Sequence, residues 1–151
     1  MSAMAGITVY DGAATPVLHT LNPIEVSRPT KDKVMALWRE SPTNVPLNAC
    51  ISCEMSLERL PNGIYKAYQR VNVPVMESVS GQNAAGYTAA PKVAFVDSIV
   101  TIGYFSDRST VEKHRLARQI STNIQGNVTT SVAAPTSGPA AELFDFLILP
   151  T

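Results

Sequence analysis

The chain has 151 residues, 45% of them hydrophobic and 16% charged, with twelve Lys and Arg balanced by twelve Asp and Glu. This composition describes a folded chain with a core of its own and excludes a disordered one, while zero net charge excludes a bulk electrostatic grip on nucleic acid, so any such binding has to be local. No apolar run approaches the roughly 18 residues of a membrane span, and Met1-Ser2-Ala3-Met4-Ala5-Gly6 lacks the basic and apolar blocks of a signal peptide, so a cytoplasmic protein is expected.

Residues 6–21 read as an N-terminal hairpin around Asp11-Gly12-Ala13-Ala14. His19 has no partner within local reach and, as a lone histidine in a strand, reads as a packing residue. Pro23, Pro29 and Lys31-Asp32-Lys33 read as a connector. Residues 34–40 alternate Val34, Ala36 and Trp38 against Met35, Leu37 and Arg39, a strand whose two faces the pattern leaves unassigned.

Residues 48–75 carry the clearest signal. Ala49, Ile51, Cys53, Met55 and Leu57 alternate with Asn48, Cys50, Ser52, Glu54, Ser56 and Glu58, which predicts a strand with one buried face. Beyond Leu60-Pro61-Asn62-Gly63-Ile64, the residues Tyr65, Ala67, Gln69, Val71, Val73 and Val75 make a drier face, and Lys66, Tyr68, Arg70 and Asn72 a wet one. Opposed residues in an antiparallel ladder point the same way. A two-residue Asn62-Gly63 loop would set Arg70 opposite Met55. A three-residue Pro61-Asn62-Gly63 loop, a type I turn with glycine left-handed, instead sets Glu58 opposite Lys66, Ser56 opposite Tyr68, Glu54 opposite Arg70 and Ser52 opposite Asn72. Cys50 and Cys53 spell C-x-x-C, but with no second pair and on opposite faces of a strand they read as small strand residues, not a metal or redox site.

Residues 76–91 form a long polar loop. A further strand, 92–105, sets Ala94, Val96, Ser98, Val100, Ile102 and Tyr104 on one side and Phe95, Asp97, Ile99 and Thr101 on the other. Ser109-Thr110-Val111-Glu112 reads as a capping box opening a helix with an apolar stripe of Leu116, Ala117, Ile120 and Ile124, stopped by Gly126. Lys113, His114, Arg115 and Arg118 read as its solvated side. Residues 128–134 are a candidate second helix, and 135–151 an apolar C-terminal extension.

The expected fold is α+β: the N-terminal hairpin, an antiparallel sheet of about five strands over 33–105, then one or two helices within 109–134, all in one domain. A single helix of about fifteen residues cannot cover so wide a sheet face, so a second copy of the chain is expected to supply cover. No Gly-rich phosphate loop, nucleophile elbow or patterned Ser-His or Cys-His pair is present, so no catalytic residue, cofactor or metal is expected.

The order of these parts, with Ile7-Thr8-Val9-Tyr10-Asp11-Gly12-Ala13-Ala14-Thr15-Pro16-Val17 and Phe105-Ser106-Asp107-Arg108-Ser109-Thr110, resembles the coat proteins of single-stranded RNA bacteriophages of the levivirus type over residues 6 to 135. The resemblance implies an interlocked homodimer with joined sheets and helices packed across the partner. Dimers would assemble in the bacterial host cytoplasm into the icosahedral shell of the virion. It further implies an inward polar sheet face holding an RNA hairpin that marks the genome and represses replicase translation. Carried over by position, that face comprises Ser52, Glu54, Ser56, Lys66, Tyr68, Arg70 and Asn72 with Phe95 and Asp97, the cations meeting phosphates and Tyr68 or Phe95 stacking on a base. Glu54 and Glu58 opposite Arg70 and Lys66 leave cross-strand neutralisation as the competing role for those cations. The resemblance assigns no role to residues 142–151, for which packing on a neighbouring subunit is expected. The alternative is a cytoplasmic dimeric β-sheet RNA-binding protein that forms no shells.

Overall fold

A computed structural model describes residues 4–43, 45–77, 86 and 92–149. Six strands follow one another in chain order across one antiparallel sheet: β1 Ile7–Tyr10, β2 Leu18–Thr30, β3 Lys33–Glu40, β4 Ser52–Arg59, β5 Ile64–Met76 and β6 Val93–Ser106. Two helices close the chain, α1 Val111–Gln125 and α2 Pro139–Phe144.

The β4–β5 hairpin has the expected register, with Ser52, Glu54, Ser56 and Glu58 opposite Asn72, Arg70, Tyr68 and Lys66. Its turn is closed by the Gly63 amide donating to Leu60 O at 3.0 Å and the Leu60 amide to Ile64 O at 2.8 Å, with Gly63 at φ 77°. That left-handed φ is why glycine stands there. The strand starts later than the alternation suggested, since Leu47–Ala49 forms a 3-10 turn. Cys50 and Cys53 are both buried free thiols, and burial pushes the Cys53 thiol up to about 11.

The expected connector around Pro23 and Pro29 is strand, part of the thirteen-residue β2. Register shifts fall between Pro23 and Glu25 and between Ser27 and Thr30. Proline has no amide to give a ladder, so it survives in a strand at bulges and edges; β1 reaches only to Leu21, leaving both prolines on an edge. The loop expected at 76–91 falls, apart from Met76, Glu77 and Gly86, outside the described residues.

One sheet face carries the core: Leu21, Ala36, Trp38, Cys53, Met55 and Ala67. Trp38 is fully buried, and its indole N–H donates to Ala5 O at 2.9 Å, which satisfies the polar atom that burial would otherwise strand. The cover over this core comes from the C-terminal extension. Leu143, Phe144 and Leu149 belong to the same cluster, so the segment expected to pack on a neighbouring subunit packs within its own chain. No helix forms over 128–134; the second helix lies in the extension, with Pro139 at its first turn where the missing amide costs nothing. The capping box does not form either, because the N-cap is Thr110 and makes no side-chain hydrogen bond.

Candidate functional site

The sheet face opposite the core is polar at its centre. Across β3, β4, β5 and β6 the ladders place side chains in rows: Arg39, Ser52, Asn72 and Ser98; Leu37, Glu54, Arg70 and Val100; Met35, Ser56, Tyr68 and Ile102; Lys33, Glu58, Lys66 and Tyr104. Seven of the nine residues singled out from the sequence therefore share this face. Phe95 and Asp97 do not: they pair with Val75 and Val73, on the side of Val71 and Ala67. The parity of β6 against β5 is fixed by the ladder register, with a bulge between Val75 and Met76, neither of which alternation reveals. From β6 this face instead carries Ser98, next to Asp97, and Tyr104 at the other end of the strand, opposite Lys66. Arg39, whose face the sequence pattern left unassigned, joins through its pairing with Ser52.

A hydrogen-bonded chain runs across the face. Asn72 Nδ2 donates to Ser52 Oγ at 3.3 Å, Ser98 Oγ donates to Asn72 Oδ1 at 2.6 Å, and Arg70 Nη2 donates to Ser98 Oγ at 3.4 Å. Arg70 is thus drawn toward Ser98 and away from Glu54. Among the described residues neither Arg70 nor Lys66 comes within ion-pair distance of a carboxylate, and the Nε atoms of Arg70 and Arg39 have no hydrogen-bond partner. The cross-strand neutralisation open from the sequence is not formed. What remains is a face whose Lys66 and Arg70 charges are not spent on a carboxylate, beside the rings of Tyr68 and Tyr104, the latter 62% exposed.

The opposite, helix-bearing side presents a second site. Of the α1 residues expected to face solvent, Lys113 does so, but His114, Arg115 and Arg118 face the protein instead. Asp145, whose side chain is wholly buried, accepts from Arg118 Nε at 2.7 Å and Nη2 at 2.8 Å and from Arg115 Nε at 3.1 Å. His114, buried, stands 3.0 Å through Nδ1 from the Asp145 backbone carbonyl, with its ring 4.6 Å from that of Phe105. Burial alone would push the Asp145 carboxyl up, but the hydrogen bonds from Arg118 and Arg115 outweigh it and hold the group below its ordinary value. The buried node thus fastens α1 to the C-terminal segment.

With that side of α1 turned inward, its apolar stripe is turned out. Leu116 and Ile120 are each 51% exposed and Ile124 75%. The adjoining sheet is bare as well, with Ile99 72% and Phe95 56% exposed. Between α1 and β6 lies an open cleft of about 530 Å³, lined by Val71, Ile99, Thr101, Ala117, Ser121 and Gln125 among others. β6 is also the last strand in the sheet, so its outer edge has no partner among the described residues.

No cluster of His, Cys, Asp and Glu among the described residues is arranged to hold a metal ion, and no helix among them is long and apolar enough to cross a membrane.

A family model described as "Levivirus coat protein" matches residues 2–137. No curated protein sequence matches significantly. Among solved structures, the virus-like particle of bacteriophage EMS014 is 26% identical with a TM-score of 0.70, covering 99% of each chain. The bacteriophage EMS014 coat protein is 25% identical with a TM-score of 0.67 at the same coverage. The virus-like particle of bacteriophage ESE058, 18% identical with a TM-score of 0.68 over 98% of this chain and 99% of that one, is similar in fold.

Proposed function

Since the chain belongs to the levivirus coat protein family, structural proteins of the virion and not enzymes, we propose that it dimerises through its helix-bearing side and builds a closed shell around single-stranded RNA. The observation that carries this reading is that two apolar surfaces, the α1 stripe and the outer part of the sheet, both lie open to solvent, with Ile99 of the sheet lining the cleft between α1 and β6. Exposed apolar area of this kind is favourable to bury at about 25 cal/mol per Å². A second copy inserting its own α1 into the cleft buries both surfaces at once. The open β6 edge, largely apolar on both sides beyond Ser98, supports continuation of the sheet into the partner, because an unpaired edge of this length is otherwise a site for uncontrolled pairing. The EMS014 relative is a virus-like particle, which supports the same assembly here.

The polar face would then form the inner lining and hold an RNA hairpin. Lys66 and Arg70 meet phosphates, with Arg39 and Lys33 extending the cationic surface. Tyr68 and Tyr104 offer rings to unpaired bases, and Ser52, Asn72 and Ser98 offer hydrogen bonds to base edges and ribose, whereas Ser56 is buried beneath them. Glu54 interleaves with these cations, which fits a balanced chain that binds one RNA shape in preference to any polyanion.

Two measurements test this. Sedimentation and negative-stain microscopy of the expressed protein are expected to show uniform round particles built from dimers. A folded species that stays a lone subunit at micromolar concentration overturns the dimer, and dimers without particles overturn the shell. Lys66→Ala with Arg70→Ala is expected to weaken hairpin binding while leaving particle yield intact; unchanged RNA affinity would remove this face as the binding surface.

A further inference from the structure

His19, expected to be a packing residue, stands between two carboxylates. Its Nδ1 lies 3.0 Å from Glu40 Oε1 and its Nε2 lies 3.6 Å from Asp11 Oδ2. A neutral imidazole carries one N–H, so one of its nitrogens would confront a carboxylate oxygen lone pair to lone pair. Only the imidazolium, with a proton on each nitrogen, serves both contacts. The arrangement therefore favours the charged form.

The ladder already pairs Leu21 of β2 with Glu40, so what His19 adds is a side-chain tie between the β1–β2 connection and the end of β3. Asp11 opens the connection between β1 and β2 and organises it: Oδ1 accepts from the Ala13 amide at 3.3 Å and the Val17 amide at 2.9 Å, and the Asp11 amide donates to Val17 O at 3.0 Å. Glu40 is the last residue of β3. Between them His19 sits on β2, opposite the uncharged Val9 of β1. Asp11 and Glu40 are the charged groups that bear on it. β1 itself is only four residues long and pairs with β2 alone, so the hairpin tip lies at the low-stability end of the fold.

We propose that His19 is a proton-operated latch: charged, it fastens the β1–β2 connection to the end of β3, and on losing its proton it frees the N-terminal hairpin. Unlatched, the three groups change from a net charge of −1 to −2, and the two carboxylates lose the cation that separates them. The direction of the response follows from linkage. The hydrogen bond to Glu40 raises His19 above its ordinary 6.5, so the latch holds below that value and opens as pH rises through the raised one. Asp11 is held below its ordinary 3.8, chiefly by the Val17 amide, so its contribution lasts above that value and is lost only as pH falls through the lower one. The hairpin is therefore held in mildly acid solution and loosened as pH rises past the raised His19 midpoint.

Hydrogen exchange of the full chain, read by mass spectrometry at about pH 6 and about pH 9 and corrected for the intrinsic pH dependence of exchange, tests the latch. Peptides covering residues 7–21 are expected to show a severalfold loss of protection at the higher pH while β4–β5 peptides keep theirs. In His19→Gln the hairpin is expected to be weakly protected at both pH values. In the milder Glu40→Gln the loss is expected to shift to lower pH. Equal protection of the wild-type hairpin at both pH values, loss spread evenly over β4–β5, or an unchanged pH response in His19→Gln overturns the proposal. Proton NMR provides an independent reading, because the chain has only two histidines. A His19 midpoint above 6.5 supports the latch, and one at or below it refutes it.

Discussion

The β4–β5 hairpin and the α1 helix carry equally clear amphipathic patterns, yet the pattern places the first correctly and turns the second inside out. In the hairpin, Cys53, Met55 and Ala67 lie on the dry face and are buried by the chain that contains them. In α1, Leu116, Ile120 and Ile124 face solvent, while His114, Arg115 and Arg118 engage the chain's own C-terminal segment. Periodicity thus reports which side of an element is apolar, but not whose core it fills. A stripe left bare within a folded subunit is what a surface destined for another copy looks like.

The largest test of that contrast lies at Asp145. Removing one partner of a buried, hydrogen-bonded ion pair strands the other charge, and Asp145→Ala leaves both Arg115 and Arg118 without their carboxylate. A loss of about 3–5 kcal/mol in urea unfolding is expected, larger than for any substitution on the outer stripe. The same node predicts an acid response. Because the folded carboxyl is held below its ordinary 3.8, its contribution is complete above that value and is lost as pH falls through the lower one. Asp145→Asn is expected to flatten the acid limb of the stability profile.

Next in size comes a direct match between the two regions. Met55→Ala in the hairpin and Leu143→Ala in the C-terminal segment each empty a buried position in one cluster, so each is expected to cost about 2–5 kcal/mol. A negligible cost at Leu143 would return residues 139–149 to the status of an appendage.

These two residues also show where sequence reading succeeds. Met55 was legible because its neighbours alternate without a break and a short turn fixes the register. The faces of Ser52, Glu54, Ser56, Lys66, Tyr68, Arg70 and Asn72 followed from the same parity. Leu143 was not legible, because a run such as Leu143-Phe144-Asp145-Phe146-Leu147 has no period, and a charge within it reads as exposed until its arginine partners, some thirty residues earlier, are seen beside it. Long-range placement defeated the reading of Phe95 and Asp97 in the same way, since the face they take depends on how β6 registers against β5, which alternation within β6 does not reveal. His19 failed for want of distance information: Glu40 lies 21 residues away in sequence and 3.0 Å away in space.

A smaller effect is expected where the two regions meet. A Cβ built on Gly103 would come within 2.5 Å of the Phe105 ring, which lies against both His114 and Phe144. Gly103→Ala forces that ring to move, and overpacking of this kind costs about 1–3 kcal/mol. Because Phe105 is where the sheet touches α1, the loss should appear in thermal melting together with increased exchange of α1 amides; a stability loss that leaves α1 protection unchanged would place the strain elsewhere.

The smallest expected effect on folding is also the most informative for assembly. Ile120 is half exposed on the outer stripe, so Ile120→Asp removes little that the chain buries for itself and is expected to change subunit stability by less than about 0.5 kcal/mol. In a dimer that buries the stripe, however, the same substitution places an unpaired carboxylate in an apolar interface, which costs several times as much. Far-UV circular dichroism should therefore report a native spectrum while size-exclusion chromatography reports loss of dimers and particles. Lys113→Ser, on the same helix but off the stripe, provides the control and should leave both unchanged. Retention of full particle yield by Ile120→Asp would mean that the stripe is merely an exposed apolar surface and that the cleft beside it is filled by some other part of the assembly.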